Sequence, residues 1–248
     1  MSPDRSDADE GPGQVVTTVP GPPEAPAVAL TFDDGPGPHT PDVLAVLARY
    51  GVRATFFVCG RSVQDRPDLL RETVAAGHAL GNHTLTHPQA VPGSRPFGHF
   101  DELDEDVQAA QIDTTAAAVA AALGPRAVPL RWFRGPGGRH HGDRTARVTA
   151  ARGLAVVEWS ADPGDWDAPP EVEPDFVRAI TARATAGAVA TTRRPVLVLH
   201  DHKASAEPEE ELSGFRGNTV AALPRIIEFH LTRGATFCAP DGSSLTAG

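Results

Sequence analysis

Residues 196–201 read Val-Leu-Val-Leu-His-Asp. Four consecutive branched apolar residues leave no face of a strand for water, so the run is predicted to be a strand covered on both sides. Strands of that kind belong to parallel sheets flanked by helices. Outward from this run, further short apolar stretches carry strand signals at Ala27–Phe32, Ala54–Val58, His78–Asn82, Leu130–Phe133, Leu154–Trp159 and Ala235–Cys238. Helical patterns lie between most of them. Thr40-Pro41 reads as an N-cap with proline in the first turn, followed by Val43, Val46, Leu47 and Tyr50 on one stripe. Pro67 opens a second helix, residues 101–123 a long Ala-rich one, and Pro174 another; Asn218 is expected to cap the last. Strands alternating with helices predict a single barrel-like α/β domain.

Composition narrows the function. Of 248 residues, 40% are hydrophobic and 22% charged, enough apolar material for a sizeable core. Lys and Arg number 22 against 32 Asp and Glu, a net charge of −10. That balance argues against nucleic acid and anionic membrane surfaces as partners, because a phosphate backbone needs a basic face. No apolar run approaches the ~18 residues of a membrane span. Two cysteines, Cys59 and Cys238, cannot make a disulfide scaffold or a Cys-based zinc ribbon.

Residues 1–26 hold six charges, six prolines and no apolar periodicity, and are expected to be a disordered leader, with one domain over 27–248. A basic start and an apolar h-region are both missing from this leader, so as the sequence stands the expected location is cytoplasmic; a secreted protein stripped of its leader would read the same. Long loops are expected at 88–100 and 201–217, the second carrying Glu207, Glu209, Glu210 and Glu211. The acidic run Asp101, Glu102, Asp104, Glu105, Asp106 reads as a solvated helix start.

Five stretches carry chemistry. The first is Thr31-Phe32-Asp33-Asp34-Gly35-Pro36, two adjacent carboxylates at a strand's end that could divide duties, one on a metal and one as base. The second, His83-Thr84-Leu85-Thr86-His87, spaces two imidazoles so that on one helical turn both rings point the same way. With Asp34 they make a two-nitrogen, one-carboxylate set with an open position, which suits one divalent metal: Zn²⁺, or else Co²⁺ or Ni²⁺. The third is Arg134-Gly135-Pro136-Gly137-Gly138, where a cation can hold an ionised Asp and turn amides can meet an oxyanion. His140 and His141 follow as loop histidines. The fourth is Asp162-Pro163-Gly164-Asp165-Trp166. The fifth is His200, which caps the apolar strand and can act as a general acid, with Asp201 and His202 assigned to the loop. Cys59 reads as a packed strand residue.

Taken in order, TFDDGP, H-T-x-x-H-P, R-x-P, D-x-x-D-W and L-x-L-H resemble the NodB-homology polysaccharide deacetylases, carbohydrate esterase family four. The likeness spans about residues 27–240. It implies a deformed (β/α) barrel of about seven parallel strands and metal-dependent removal of an acetyl group from an N-acetylated sugar. By the same resemblance Asp33 is the base, Asp34, His83 and His87 hold the metal, and Arg134 orients the base. Asp165 tunes the acid His200, Leu197 and Leu199 wall the acetyl pocket, and Trp166 lies on the substrate side. The aromatic that the family's third motif carries is Gly137 here, which predicts a wider groove. Amide or imide hydrolysis of a small N-acyl molecule therefore stands as the alternative to an acetylated sugar.

Overall fold

The computed structural model describes residues 15–88, 99–190, 193–203 and 214–245. Its strands are β1 (Val15–Val16), β2 (Ala27–Asp33), β3 (Thr55–Val58), β4 (Ala79–Asn82), β5 (Trp132–Phe133), β6 (Ala155–Val157), β7 (Val196–His200) and β8 (Thr236–Phe237). The helices are α1 (Thr40–Tyr50), α2 (Gly60–Asp65), α3 (Pro67–Ala75), α4 (Glu105–Leu123), α5 (Asp143–Ala150), α6 (Pro174–Ala190) and α7 (Gly217–Thr232). The strands pair in parallel in the order β1-β6-β5-β4-β3-β2-β7, with β8 added to β2. The sheet curls until the chain leaving β6 touches β7: Ala161 bridges Leu197, and Val198 N–H donates to the Ala161 carbonyl at 3.0 Å. The result is a single-domain deformed barrel, as the run at 196–199 and its neighbours predict.

Alternation along the strands sorts residues into two layers. On β7, Leu197 and Leu199 face outward into a core shared with Ile180 of α6 and Leu223, Ile226 and Ile227 of α7. Val196 faces inward among Ala27, Ala29, Phe57, Trp132 and Val157. Both faces of β7 are thus buried, which is why it reads as unbroken apolar sequence. Above the inner apolar layer the same strand faces carry Thr31, Asp33, Arg134 and His200, so the polar residues gather at the C-terminal end of the sheet.

Several sequence expectations change. Residues 15–26 are not part of a disordered leader: β1 pairs with β6, and Val19 is buried in the inner core. Arg194 fastens this strap, its side chain donating to the carbonyls of Val19, Pro20 and Ala25. A Pro-rich segment with one valine pair and a lone Val19 shows no periodicity, yet needs only a few backbone bonds to lie across a barrel's end. Thr40 does not cap α1; His39 occupies that place, and the Thr40 hydroxyl accepts from Gly37 N–H at 2.7 Å. Asn218 does not cap α7 either, since Arg216 does; its amide instead ties the loop before α6 through Glu171 and Glu173. Helices α2 and α5 escape sequence reading because one is a single short turn and the other is mostly polar. The helix expected over 101–123 starts only at Glu105, with Asp101 in a separate 3₁₀ turn (Phe100–Glu102); Glu105 pairs with Arg147 and Asp101 with Arg139. The expected loops at 88–100 and 201–217 lie mostly outside the described residues.

The strap's role is testable. Val19→Asp places a carboxylate in an apolar layer without a partner and is expected to cost about 2–5 kcal/mol in a urea titration. An unchanged midpoint would mean that residues 15–19 contribute nothing to the fold.

Candidate active site

On a continued strand Asp34 would face away from Asp33. The chain instead turns at Asp34 with φ 77°, a left-handed conformation uncommon outside glycine, and both carboxylates line one cavity. The Ser62 hydroxyl donates to the Asp34 carbonyl at 2.9 Å and helps hold that turn. Gly35 follows because the Asp201 carboxylate presses on it: a Cβ there would meet both Asp201 oxygens at 2.4 Å.

His83 and His87 do meet Asp34, but not from a helical turn. Residues 83–88 form a loop, in which Thr84 (φ 68°) and His87 (φ 53°) are also left-handed. The Thr84 hydroxyl accepts from His87 N–H at 3.0 Å, and Asn82 accepts from Thr84 N–H at 2.9 Å. The rings converge by backbone strain rather than by helical spacing. Asp34 Oδ1 lies 3.5 Å from His83 Nε2 and 3.5 Å from His87 Nε2, and it is buried without a hydrogen bond. The ligand atoms of all three residues lie within 4.8 Å of one another. His83 Nδ1 is 2.8 Å from the Arg134 carbonyl, so a proton held there leaves Nε2 free to ligate.

Charge fits the same use. Burial opposes ionisation of Asp34, yet His87 and His83 hold it below the ordinary carboxylate range. Burial pushes His87 down to about 4, which makes it neutral at pH 7. For His83 burial opposes the proton, but Asp33 and Asp34 outweigh it; a cation on the same atoms takes that proton's place. An orphaned buried oxygen between two imidazoles fits a divalent metal.

Asp33 is held apart from this set. Arg134 is wholly buried and donates to Asp33 Oδ1 at 2.7 Å, Thr31 Oγ1 at 2.8 Å and the Val157 and Glu158 carbonyls at 3.1 and 3.0 Å. Its guanidinium carbon sits 4.0 Å above the Phe57 ring centre. Gly81 makes room for that ring, since a Cβ would lie 2.4 Å from it. Asp33 Oδ2 stays 3.8 Å from His83 Nε2, near the ligands without joining them.

Across the cavity, His200 Nδ1 is 2.8 Å from Asp165 Oδ1, while Asp165 Oδ2 accepts from His200 N–H at 2.9 Å and the Thr219 hydroxyl at 2.8 Å. Burial works against charge on His200, but Asp165 more than offsets it and lifts the imidazole to about 9. Asp33 and His200, each held by an opposite charge, therefore flank the Asp34, His83 and His87 set. The remaining walls are Gly137, Trp159, Asp162, Trp166 and Val198, around about 210 Å³.

Leu197 and Leu199, expected as the acetyl wall, are not in the cavity. They alternate with His200 and face the helices, so Val198 takes that place. Gly137 and Trp166 are where the sequence puts them. His140 and His141 are not among the lining residues; His140 turns to Glu158 Oε1 at 3.2 Å. Cys59 is packed beneath the site, with its thiol 3.6 Å from the His83 carbonyl. The sequence reading missed Asp201, which is fully buried, accepts from the Thr40 hydroxyl at 2.5 Å and is pushed up to about 7 by burial. Its place directly after a strand-capping histidine was the available signal.

Comparisons with known proteins agree with this geometry. The family model described as polysaccharide deacetylase matches residues 21–157. A chitooligosaccharide deacetylase of Sinorhizobium fredii is 40% identical over 206 residues, 82% of this chain and 85% of the relative. A peptidoglycan-N-acetylglucosamine deacetylase of Bacillus cereus is 33% identical over 81% of this chain and 79% of its own length. Among solved structures, a family 4 carbohydrate esterase from Streptomyces lividans in complex with acetate superposes with a TM-score of 0.69 at 28% identity, covering 90% of this chain and 97% of that one. The chain belongs to the polysaccharide deacetylase family, the NodB-homology hydrolases of carbohydrate esterase family four.

Proposed function

We propose that the protein hydrolyses the N-acetyl group of a chitooligosaccharide-type substrate, with one divalent metal, Zn²⁺ by the chemistry of its ligands, on Asp34, His83 and His87. The observation that carries this reading is the pairing of an Arg-held carboxylate, Asp33, with an Asp-held imidazole, His200, in one cavity. The Sinorhizobium relative, by its name, acts on chitooligosaccharides, and the match runs over most of both chains. At about 210 Å³ the cavity is smaller than the ~300–1,000 Å³ of drug-sized sites and suits one acetylated ring.

A divalent cation at this site supplies Lewis acidity to the acetyl carbonyl and makes water more acidic. Asp33 takes the proton of the attacking water; Arg134, bonded to its Oδ1, fixes which oxygen faces the cavity. Gly137 lines the cavity, and its amide is the donor we assign to the negative charge that develops on the carbonyl oxygen. His200, protonated and steadied by Asp165, gives its proton to the departing nitrogen as the C–N bond breaks. Acetate and a free amine leave, and no covalent enzyme intermediate forms.

Gly137 favours a second reading, a small N-acyl amide or imide as substrate, because no aromatic ring narrows the groove there. Its φ of 60° means that any ring-bearing residue would be strained by about 1–2 kcal/mol.

Two outcomes test the proposal. Acetate release is expected from N-acetylchitooligosaccharides, and Asp33→Asn is expected to lower it by ~10²–10⁴-fold; turnover of small N-acyl amides alone would favour the second reading. The rate is also expected to fall as pH rises through about 9, where His200 loses its proton. Asp165→Asn removes the charge that holds that proton, so the falling limb of kcat/KM should move toward the ordinary histidine range near ~6.5. An unmoved limb would remove His200 from the role of acid.

A further inference from the structure

Asp162 lines the active-site cavity, but the chemistry above does not use it. It is built in firmly. The preceding residue, Ala161, bridges β7, with its N–H donating to Val196 and its carbonyl accepting from Val198. Asp162 Oδ1 accepts from Gly164 N–H at 2.7 Å, in a turn that Gly164 permits with φ 67°. The side chain is thereby fixed by one oxygen, and the second remains an acceptor toward solvent. The residue is solvent-exposed at the mouth, so its charge is not being hidden.

Its neighbours on the wall are two of the three tryptophans in the chain, Trp159 and Trp166, the latter 41% exposed. Trp159 can lie along the wall because Gly138 has no side chain: a Cβ there would stand 2.8 Å from the indole edge. Gly137, beside it, adds no bulk. An acceptor-only carboxylate lining the same cavity as two tryptophans matches a sugar ring, whose hydroxyls donate around the rim while its C–H faces are apolar. A small hydrophobic amide carries no ring hydroxyls to take the place of water on the carboxylate.

We infer that Asp162 is the residue that selects a hydroxyl-bearing sugar ring over other acetyl compounds, by accepting hydrogen bonds from its hydroxyls. This rests on the deacetylase reading of the same site. It deepens that reading by assigning recognition of the ring to a residue outside the base, the acid and the metal ligands.

The test compares Asp162→Ala and Asp162→Asn with the native protein, each loaded with Zn²⁺. The substrates are di-N-acetylchitobiose and 4-nitrophenyl acetate, which has no hydroxyls. Asn keeps an oxygen for Gly164 N–H but turns the outward acceptor into a donor, so it separates recognition from support of the turn. Both variants are expected to raise KM for the disaccharide by about 10-fold or more, with kcat changing much less, because a hydrogen bond to a charged group is lost from both ground and transition states. The ratio of kcat/KM for disaccharide over ester should fall by about 10-fold in both. Equal losses on the two substrates, with Asn restoring what Ala loses, would make Asp162 a turn-holding residue and overturn the inference. So would variants with native KM for the disaccharide. If the native protein hydrolyses the ester and never the disaccharide, the deacetylase reading itself fails and the inference falls with it.

Discussion

The site depends on one buried cation. The Arg134 guanidinium, inaccessible to solvent, joins Thr31 and Asp33 of β2 to the carbonyls at the end of β6 and rests on Phe57 of β3. A guanidinium removed from water is tolerable only when its donors are met, and here a carboxylate, a hydroxyl and two carbonyls take four of its five N–H groups. Removing one partner of such a pair typically costs about 3–5 kcal/mol, so the geometry of Asp33 is coupled to the stability of the barrel's polar layer. The arrangement also divides two adjacent carboxylates electrostatically. Asp33 faces a fixed positive charge, while Asp34 faces two imidazoles with nothing fixed between them.

That division required the backbone to break its own rules. Asp34, Thr84 and His87 all adopt left-handed conformations that cost side-chain-bearing residues stability. The Ser62 hydroxyl donating to Asp34, and the Asn82 and Thr84 side chains accepting from Thr84 and His87 N–H, hold the strained turns in place. On the far side Asp201 and Thr40 press against the turn at Gly35. The strain lies at the ligands, and the surrounding polar network is what sustains it.

The same physics decides what could be read from sequence. The barrel was legible because strands buried on both faces must be apolar throughout, as at 196–199. The candidate ligands Asp34, His83 and His87 were legible because metal chemistry draws on few residue types, and the structure brings the three together. What remained hidden was direction. A spacing of four residues suggests a helical turn for His83 and His87, but the convergence comes from positive φ angles that residue identity does not announce. Strand alternation did contain the answer for β7: if His200 faces the cavity, Val198 must, and Leu197 and Leu199 cannot. The strap at 15–19 stayed hidden because backbone pairing and one buried valine leave almost no compositional trace.

The central claim is that neighbouring carboxylates have separate tasks, Asp34 on the metal and Asp33 free of it. Titration of Co²⁺ into Asp33→Asn and Asp34→Asn, followed by visible absorption, tests it directly. Asp33→Asn is expected to take up one Co²⁺ per chain with the spectrum of the native protein, and Asp34→Asn to take up none at micromolar metal. Loss of Co²⁺ from Asp33→Asn, or a native spectrum in Asp34→Asn, would contradict the account.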